Sequence, residues 1–256
     1  MNLDEIAREV RKDILLEVYS AQSGHPGGSL SCADILVSIY FELIKDGDKV
    51  VLSKGHASPA LYAVLAEKGF FPKEELATFR KINSNLQGHP SLLKTNGVDA
   101  SSGSLGQGLS IANGMALSFK MDKKDNFVYV ILGDGELQEG QIWEAAMTAN
   151  HYNLNNLIVF VDYNKLQIDG SNDEVMKVAP VKDKFSSFGF FVQEIDGHNF
   201  DEIREAVQNA KMQDKPSVII ANTIKGKGVS FMKNQVGWHG KAPNKEQYEA
   251  ALAEFA

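Results

Sequence analysis

Acidic and amide side chains stand where two apolar runs of the chain end, within residues 133–170. A Gly-Asp-Gly tripeptide centred on Asp134 follows the apolar run 127–132 directly. Asn164 comes thirty residues after Asp134, just beyond a second apolar run, 157–161. The flanking glycines let the backbone turn sharply and approach an anion closely. A helix that begins a few residues later would turn its N-terminal N–H groups toward the same space, which favours phosphate.

Asp134 and Asn164 emerge side by side if the two apolar runs are neighbouring strands of one β-α-β unit. One carboxylate, one amide oxygen and one backbone carbonyl then form an incomplete shell made only of oxygen. Such a shell suits Mg²⁺, which keeps waters and takes further ligands from phosphates, and Ca²⁺ is also acceptable. Zinc is not expected, because no cysteine or paired histidine accompanies these residues. Taken alone, however, Gly-Asp-Gly is more often only a turn after a strand.

Four histidines adjoin glycines in segments that we interpret as loops: His25, His56, His89 and His239. Histidine can donate to a diphosphate, orient a sugar hydroxyl, or move protons near neutral pH. A single loop histidine is more often a surface residue, but four that gather at one sheet edge indicate a site. We expect a structural role for His198, which precedes the start of a helix.

Helical patterns alternate with short β-rich runs along the chain. Helices are predicted at 3–20, 31–43, 57–68, 105–120, 140–152, 200–211 and 245–255, and strands at 50–52, 127–132, 157–161, 191–195 and 217–221. The predicted strands at 127–132 and 157–161 are apolar almost throughout, which is typical of parallel strands buried on both faces. The alternation predicts an α/β fold, a mostly parallel sheet flanked by helices on both faces. In such sheets ligands bind beyond the carboxyl ends of the strands.

Composition sets broad limits on the function. The 256 residues suffice for one α/β domain, and 43% apolar and 23% charged residues are ordinary for a globular protein. A net charge of −7 gives no general attraction to nucleic acid or to an anionic membrane. The single cysteine, Cys32, excludes an internal disulfide. Residues 1–20 have the pattern of an amphipathic helix and not of a signal peptide. We therefore expect a cytoplasmic protein without nucleic-acid or membrane partners.

Together with its flanking residues, the Gly-Asp-Gly and Asn pair resembles the thiamine-diphosphate signature, and specifically that of the transketolase family. The segments that carry the resemblance are Gly-Asp-Gly-Glu-Leu-Gln-Glu-Gly at 133–140 and Asp-Tyr-Asn-Lys-Leu-Gln-Ile-Asp-Gly at 162–170. It extends from Ser-Gly-His-Pro-Gly-Gly at 23–28 to Trp-His-Gly-Lys-Ala-Pro at 238–243. It implies a thiamine-diphosphate-binding fold, with residues 1–256 forming a single diphosphate-binding domain.

The resemblance also implies roles for individual residues. Asp134 and Asn164 would bind the metal through side chains, and Leu166 through its backbone carbonyl. Cofactor contacts are implied for His56, Gly103, Ser104, Leu105, Gly135, Glu136, Asn164 and His239. Catalytic roles are implied for His25, His56, His89, His239 and Glu139, the last within a carboxylate network between paired active sites. Many members have proline where Ser104 stands; backbone atoms make that contact, so the departure is expected to be harmless.

In this family the glutamate that protonates the cofactor's aminopyrimidine, and the arginines that bind the substrate phosphate, lie on a later pyrimidine-binding domain. We therefore expect the N-terminal subunit of a split transketolase of the pentose phosphate pathway, which transfers a two-carbon ketol unit between sugar phosphates. It would be inactive alone and would form a heterotetramer with a partner chain. Alternatives are 1-deoxyxylulose-phosphate synthase, a related enzyme for an unusual sugar phosphate, and a non-catalytic thiamine-diphosphate-binding module. The basic segment 225–228 is left outside the expected site.

Overall fold

A parallel sheet forms the centre of the molecule in the computed structural model, which describes residues 2–255. Its strands are β1 (Lys49–Leu52), β2 (Val128–Gly133), β3 (Leu157–Tyr163), β4 (Phe191–Asp196) and β5 (Ser217–Asn222). They lie in the order β1-β2-β3-β5-β4, and every neighbouring pair is parallel. All five predicted strands and the predicted parallel sheet are confirmed.

Helices cover both faces of the sheet. They are α1 (Leu3–Ala21), α2 (Pro26–Ser38), α3 (Ser58–Glu67), α4 (Gln107–Met121), α5 (Gly140–His151), α6 (Asn172–Val175), α7 (Val181–Ser187), α8 (Phe200–Lys211) and α9 (Lys245–Ala253). Successive residues of β2 point to opposite faces, so Tyr129 and Ile131 pack into one core with α1, α2, α3 and α8. Val128 and Val130 pack into a second core with α4, α5 and α7. No helix within residues 2–255 is long and apolar enough to cross a membrane.

Some predicted boundaries were wrong. Helix α2 begins at Pro26, five residues before its predicted start, in a segment that we expected to be irregular. Proline is preorganised for the first helical turn, and the Ser29 hydroxyl donates to the His25 carbonyl at 2.7 Å. Helices α6 and α7 were missed, because four and seven residues are too short to show a helical period.

The register of the sheet brings the loops of the site together. Gly133 of β2 lies opposite Asp162 of β3, and Asp162 lies opposite Ala221 of β5. The segments that follow β2, β3 and β5 therefore leave the sheet at the same level and on the same edge. This arrangement confirms that Asp134 and Asn164 belong to adjacent loops.

Glu17, on the inner face of α1, is fully buried, and neither of its carboxylate oxygens has a hydrogen-bond partner among the described residues. Burial, and then the nearby charge of Asp13, raises the pKa of Glu17 well above its usual value of 4.5. The folded chain therefore holds this proton more tightly than the unfolded chain does. As a result, stability is lost as the pH rises above the unfolded pKa.

Replacing Glu17 by glutamine is expected to raise the free energy of unfolding at pH 8, because the variant has no buried carboxyl to keep protonated. The gain is about 1.4 kcal/mol for each unit of pKa shift removed, and it shrinks toward zero at pH 4.5. Urea unfolding at the two pH values measures it. The control is Glu9→Gln on the same helix, whose side chain is 38% exposed. Destabilisation by Glu17→Gln at pH 8 would contradict the assignment.

Candidate functional site

A cavity of about 390 Å³ lies at the carboxyl edge of the sheet, a size typical of small-molecule sites. The expected site residues that line it are His25, His56, Gly103, Leu105, Asp134, Gly135, Glu136, Glu139, Asn164, Leu166 and His239. Two others lie outside the lining. Ser104 is exposed, and the exposed His89 stands beside Gly103, where an added Cβ would be 3.4 Å from the His89 ring. The fold thus gathers most of the predicted site residues in one place.

The three expected metal ligands lie together in this cavity. Asp134 is 3% exposed, and its carboxylate accepts hydrogen bonds from the backbone N–H groups of Gly135 and Lys165. The Asn164 side-chain oxygen accepts from the Leu166 N–H at 3.1 Å. Burial, and then the charge of Asp162, raises the pKa of Asp134 to about 6. A bound cation would relieve this cost of ionising Asp134.

The donor set agrees with the hard-metal interpretation. Nowhere in residues 2–255 do three or more His, Cys, Asp and Glu side chains form a group that could hold a metal. A site with one carboxylate, one amide oxygen and one carbonyl does not need such a group, since Mg²⁺ takes its remaining ligands from water and phosphate.

Three histidines form a triangle above these oxygens. The ring centroids of His25, His56 and His239 lie 5.2, 5.3 and 5.4 Å apart. Burial, and then the charge of Arg80, lowers the pKa of His25 to about 4. Burial and Lys225 lower that of His239 to about 3, and burial and Lys54 lower the pKa of His56 well below 6.5. The three rings are therefore neutral at pH 7, so each can donate one hydrogen bond and accept another.

One histidine nitrogen in the triangle is buried without a hydrogen-bond partner in the described part of the chain. It is the Nδ1 atom of His25. Buried polar atoms are nearly always paired, and an orphaned atom in a cavity points to a ligand that completes it. Gly28 lines the same cavity, and an added Cβ there would make ordinary van der Waals contacts, 3.6 Å from His56 and 3.8 Å from the Lys54 ammonium. The cavity therefore fits a polar ligand.

Two buried lysines were missed by the sequence analysis. Lys54 donates to the Gly28 carbonyl at 2.7 Å and forms an ion pair with Asp162. Lys225 is 1% exposed and lies 3.0 Å from the Leu166 carbonyl and 2.9 Å from His239 Nδ1. Burial lowers the pKa of Lys225 to about 8, so it remains charged at neutral pH.

Lys225 belongs to the basic segment 225–228, which the sequence leaves outside the expected site, yet it lines the cavity. The loop is tightly folded, because Gly226 has a φ of +74° and an added Cβ would come within 2.4 Å of the Met232 carbonyl. The glycines at 226 and 228 could have indicated a constrained turn. Nothing in the sequence pairs this turn with the segment 162–170. Only the parallel pairing of β3 with β5 does so.

Glu136 connects the loop around Gly106 to the end of strand β2. Its carboxylate accepts from the Gly106 N–H at 2.8 Å, from the Gly133 N–H at 2.9 Å and from the Ser53 hydroxyl. Gly106 has a φ of +87°, and an added Cβ would lie 2.8 Å from the Glu139 side chain. The backbone around Gly103 is therefore held over the cavity by a buried carboxylate.

His198 is structural, as expected. Its Nδ1 lies 2.7 Å from the Asp34 carboxylate, so this nitrogen carries the hydrogen, and its Nε2 accepts from the Ile224 N–H at 2.9 Å. Arg11 donates to both carboxylate oxygens of Asp34. This network lies outside the cavity and joins α1, α2 and the segment after β5.

The fold and the cavity define an α/β domain with a polar cavity at the carboxyl edge of a parallel sheet, where such domains bind ligands. The chain belongs to the transketolase thiamine diphosphate binding domain family, whose model matches residues 4–255.

Relatives of two lengths match the chain. It is 48% identical to the 6-deoxy-6-sulfo-D-fructose transketolase subunit SqwG of Clostridium sp. (strain MSTE9), over 100% of this chain and 96% of that relative. It is 41% identical to one of the subunits of the apulose-4-phosphate transketolase of Phocaeicola vulgatus, over 96% of this chain and 91% of the relative. Human transketolase is 38% identical over 99% of this chain, which covers only 42% of the human protein.

Solved transketolase structures share the fold. The enzyme from Campylobacter jejuni superposes with a TM-score of 0.91 at 33% identity, over 100% of this chain and 43% of that chain. The enzyme from Leishmania mexicana gives 0.92 at 30% identity, over 100% of this chain and 41% of that one. The chain therefore spans about two fifths of these transketolases, but nearly the whole length of the relatives named as subunits.

Proposed function

We propose that this chain is the diphosphate-binding subunit of a two-chain transketolase, which moves a two-carbon ketol unit from a ketose phosphate to an aldose phosphate. One observation carries the proposal: the oxygen ligands, the histidine triangle and the buried lysines converge on one cavity in a member of this family. In this proposal residues 1–256 are one diphosphate-binding domain. The pyrimidine-binding domain belongs to a partner chain, as the relatives named as subunits support.

The proposed cofactor site divides into three parts. Asp134, Asn164 and the Leu166 carbonyl hold Mg²⁺, with Ca²⁺ as an acceptable substitute. Gly135, His56 and His239 contact the diphosphate, and the backbone from Gly103 through Ser104 to Leu105 contacts the aminopyrimidine ring. When bound, thiamine diphosphate supplies the electron sink for ketol transfer.

The chain's own residues would orient the sugar and manage protons. Neutral His25 and His239 can accept a hydroxyl proton at pH 7, which their protonated forms cannot do. His89, exposed beside Gly103, would orient a hydroxyl of the acceptor sugar. Lys225 and Lys54 supply positive charge close to the proposed diphosphate, in a chain whose net charge is −7.

We further propose that two copies of this chain and two of the partner form a heterotetramer. Glu139 is exposed at the start of α5 and lines the cavity. Within residues 2–255 only its backbone takes part in hydrogen bonds, so its carboxylate can reach a neighbouring protomer. Such a contact would link the edges of paired sites.

The test compares the purified chain with its complex with a pyrimidine-domain partner. Ketol transfer is assayed with Mg²⁺, thiamine diphosphate, a ketose phosphate donor and a set of aldose phosphate acceptors. The donor panel includes a sulfonated ketose and a branched ketose phosphate, because relatives are named for such sugars. We expect no transfer by the chain alone and turnover by the complex.

Transfer by the chain alone would overturn the need for a partner. A complex that binds the cofactor tightly but transfers no ketol unit from any donor would instead favour a non-catalytic binding module. Mass measurement of the active complex by light scattering tests the proposed stoichiometry.

A further inference from the structure

Asp162, at the end of β3, is a buried carboxylate that none of the proposed cofactor contacts uses. It is 0% exposed. One oxygen accepts from the Ser31 hydroxyl, the Lys54 ammonium and the Asn164 amide, and the other accepts from the Thr223 hydroxyl. These donors come from α2 and from the segments after β1, β3 and β5. A single carboxylate therefore joins four separate segments beneath the cavity.

The contacts on Asp162 determine which way the Asn164 amide faces. A carboxylate can only accept hydrogen bonds, so the amide must turn its NH₂ group toward it. The Asn164 Nδ2 atom lies 3.3 Å from the Asp162 carboxylate and 3.4 Å from the Ser31 hydroxyl oxygen. Since the Ser31 hydroxyl donates its single hydrogen to the Asp162 carboxylate, it presents a lone pair to Nδ2.

The opposite end of the amide then faces the cavity side of the loop. The Asn164 Oδ1 atom accepts from the Leu166 N–H at 3.1 Å. A reversed amide would place this oxygen against two acceptors and would leave the Leu166 N–H facing an NH₂ group. Both changes cost free energy in a buried site.

We propose that Asp162 is a positioning residue, which fixes the Asn164 amide with its oxygen toward the proposed cation. The inference rests on the proposed metal-dependent binding of the cofactor. It concerns the orientation of Asn164 as a metal ligand, and Asp162 itself does not bind the metal. Groups that orient metal ligands typically change metal affinity by about 10–100-fold when they are removed.

The first test uses two hydroxyls that both donate to Asp162. Ser31→Ala removes a group that touches the Asn164 amide, whereas Thr223→Val removes one that does not. Mn²⁺ binding to the complex of full chain and partner, with saturating thiamine diphosphate, is measured from the paramagnetic resonance of free Mn²⁺. We expect Ser31→Ala to weaken binding about threefold or more, and Thr223→Val to leave it unchanged. Equal effects would overturn the proposal.

The second test is a double-mutant cycle. Asp162→Asn should weaken Mn²⁺ binding about tenfold or more in the native chain, and should have no further effect in an Asn164→Ala background, where no amide remains to be oriented. Asp196→Asn is the matched control, since Asp196 ends strand β4, which β5 separates from β3, and is exposed. Equal losses in both backgrounds would indicate a general effect on the fold and overturn the proposal.

Mn²⁺ binding by the wild-type complex separates a failure of the proposed metal site from a failure of the role proposed for Asp162. If it binds no Mn²⁺ with the cofactor, the proposed metal site is wrong. If it binds Mn²⁺ and Asp162→Asn binds equally well, the metal site stands and only the role of Asp162 is wrong. If Asp162→Asn does not fold, because Lys54 loses its buried partner, the hydroxyl pair alone decides.

Discussion

Replacement of Asp134 by alanine should lower the affinity of the assembled enzyme for Mg²⁺ and thiamine diphosphate by more than about a hundredfold, since even changes beyond the ligands cost about 10–100-fold. Asp134 provides the only carboxylate of the proposed three-ligand shell. It is 3% exposed, and burial raises its pKa to about 6, so ionising it costs more free energy than usual, and a bound cation would offset that cost. Without it, two neutral oxygens remain to hold the metal.

Isothermal titration of the complex with thiamine diphosphate, with and without Mg²⁺, measures the loss. Asp134→Asn keeps the size of the side chain and should fail nearly as badly, because the charge is what the metal requires. Asp169→Asn changes another, exposed carboxylate of the same cavity and should bind within about threefold of the native protein. Metal-dependent binding that survives in Asp134→Ala would refute the metal assignment.

The largest loss of stability is expected from Lys54→Met. The variant leaves Asp162 buried at 0% exposure with its main compensating charge removed. Breaking a buried ion pair from one side costs about 3–5 kcal/mol, because the remaining charge has no water to solvate it. The ammonium also donates to the Gly28 carbonyl at 2.7 Å, so the link between α2 and the segment after β1 is lost as well.

Urea unfolding followed by circular dichroism measures this free energy. Lys49→Met is the control, since Lys49 pairs with Asp99 at 2.8 Å but its side chain is 40% exposed. Exposed pairs of this kind contribute about 0–1 kcal/mol. Adding Asp162→Asn to Lys54→Met removes both charges and should recover part of the loss. A cost below about 1 kcal/mol for Lys54→Met would contradict the picture of a buried, compensated pair.

The two variants test different properties of adjacent groups. Asp134 is expected to matter for ligands more than for folding, because its burial already raises its pKa. Lys54 is expected to matter for folding first, because its partner Asp162 is held ionised by four donors. Measuring both affinity and stability for each variant separates the binding role from the structural one.

Much of the fold was predictable because its signals are local. The run that forms β2 is continuously apolar because both faces of this strand are buried. Val130 and Ile131, which point to opposite faces, are both fully buried. The start of α2 was missed, because a Pro-Gly-Gly sequence at Pro26 gives no helical period. Its helix is set instead by packing against α1 and α3.

From spacing alone, the site was predictable only where its residues lie close together in the chain. Asp134 and Asn164 are joined by one β-α-β unit, so their spacing already implied that they would meet. Lys54 and Lys225 have no such local relation to them. They reach the cavity from β1 on one side and β5 on the other, through pairings that no short segment encodes.

The sequence by itself therefore determined the strands, the longer helices, the parallel sheet and the family, because apolar periodicity and motif spacing act over a few residues to one β-α-β unit. Only the tertiary structure decided how charge is arranged around the cavity. Whether a lysine is exposed or fully buried, and which carboxylate compensates it, depends on the strand order that places Lys54 beside Asp162 and Lys225 beside Leu166. Desolvation then sets the protonation states of the histidines, and desolvation is a property of the folded surroundings.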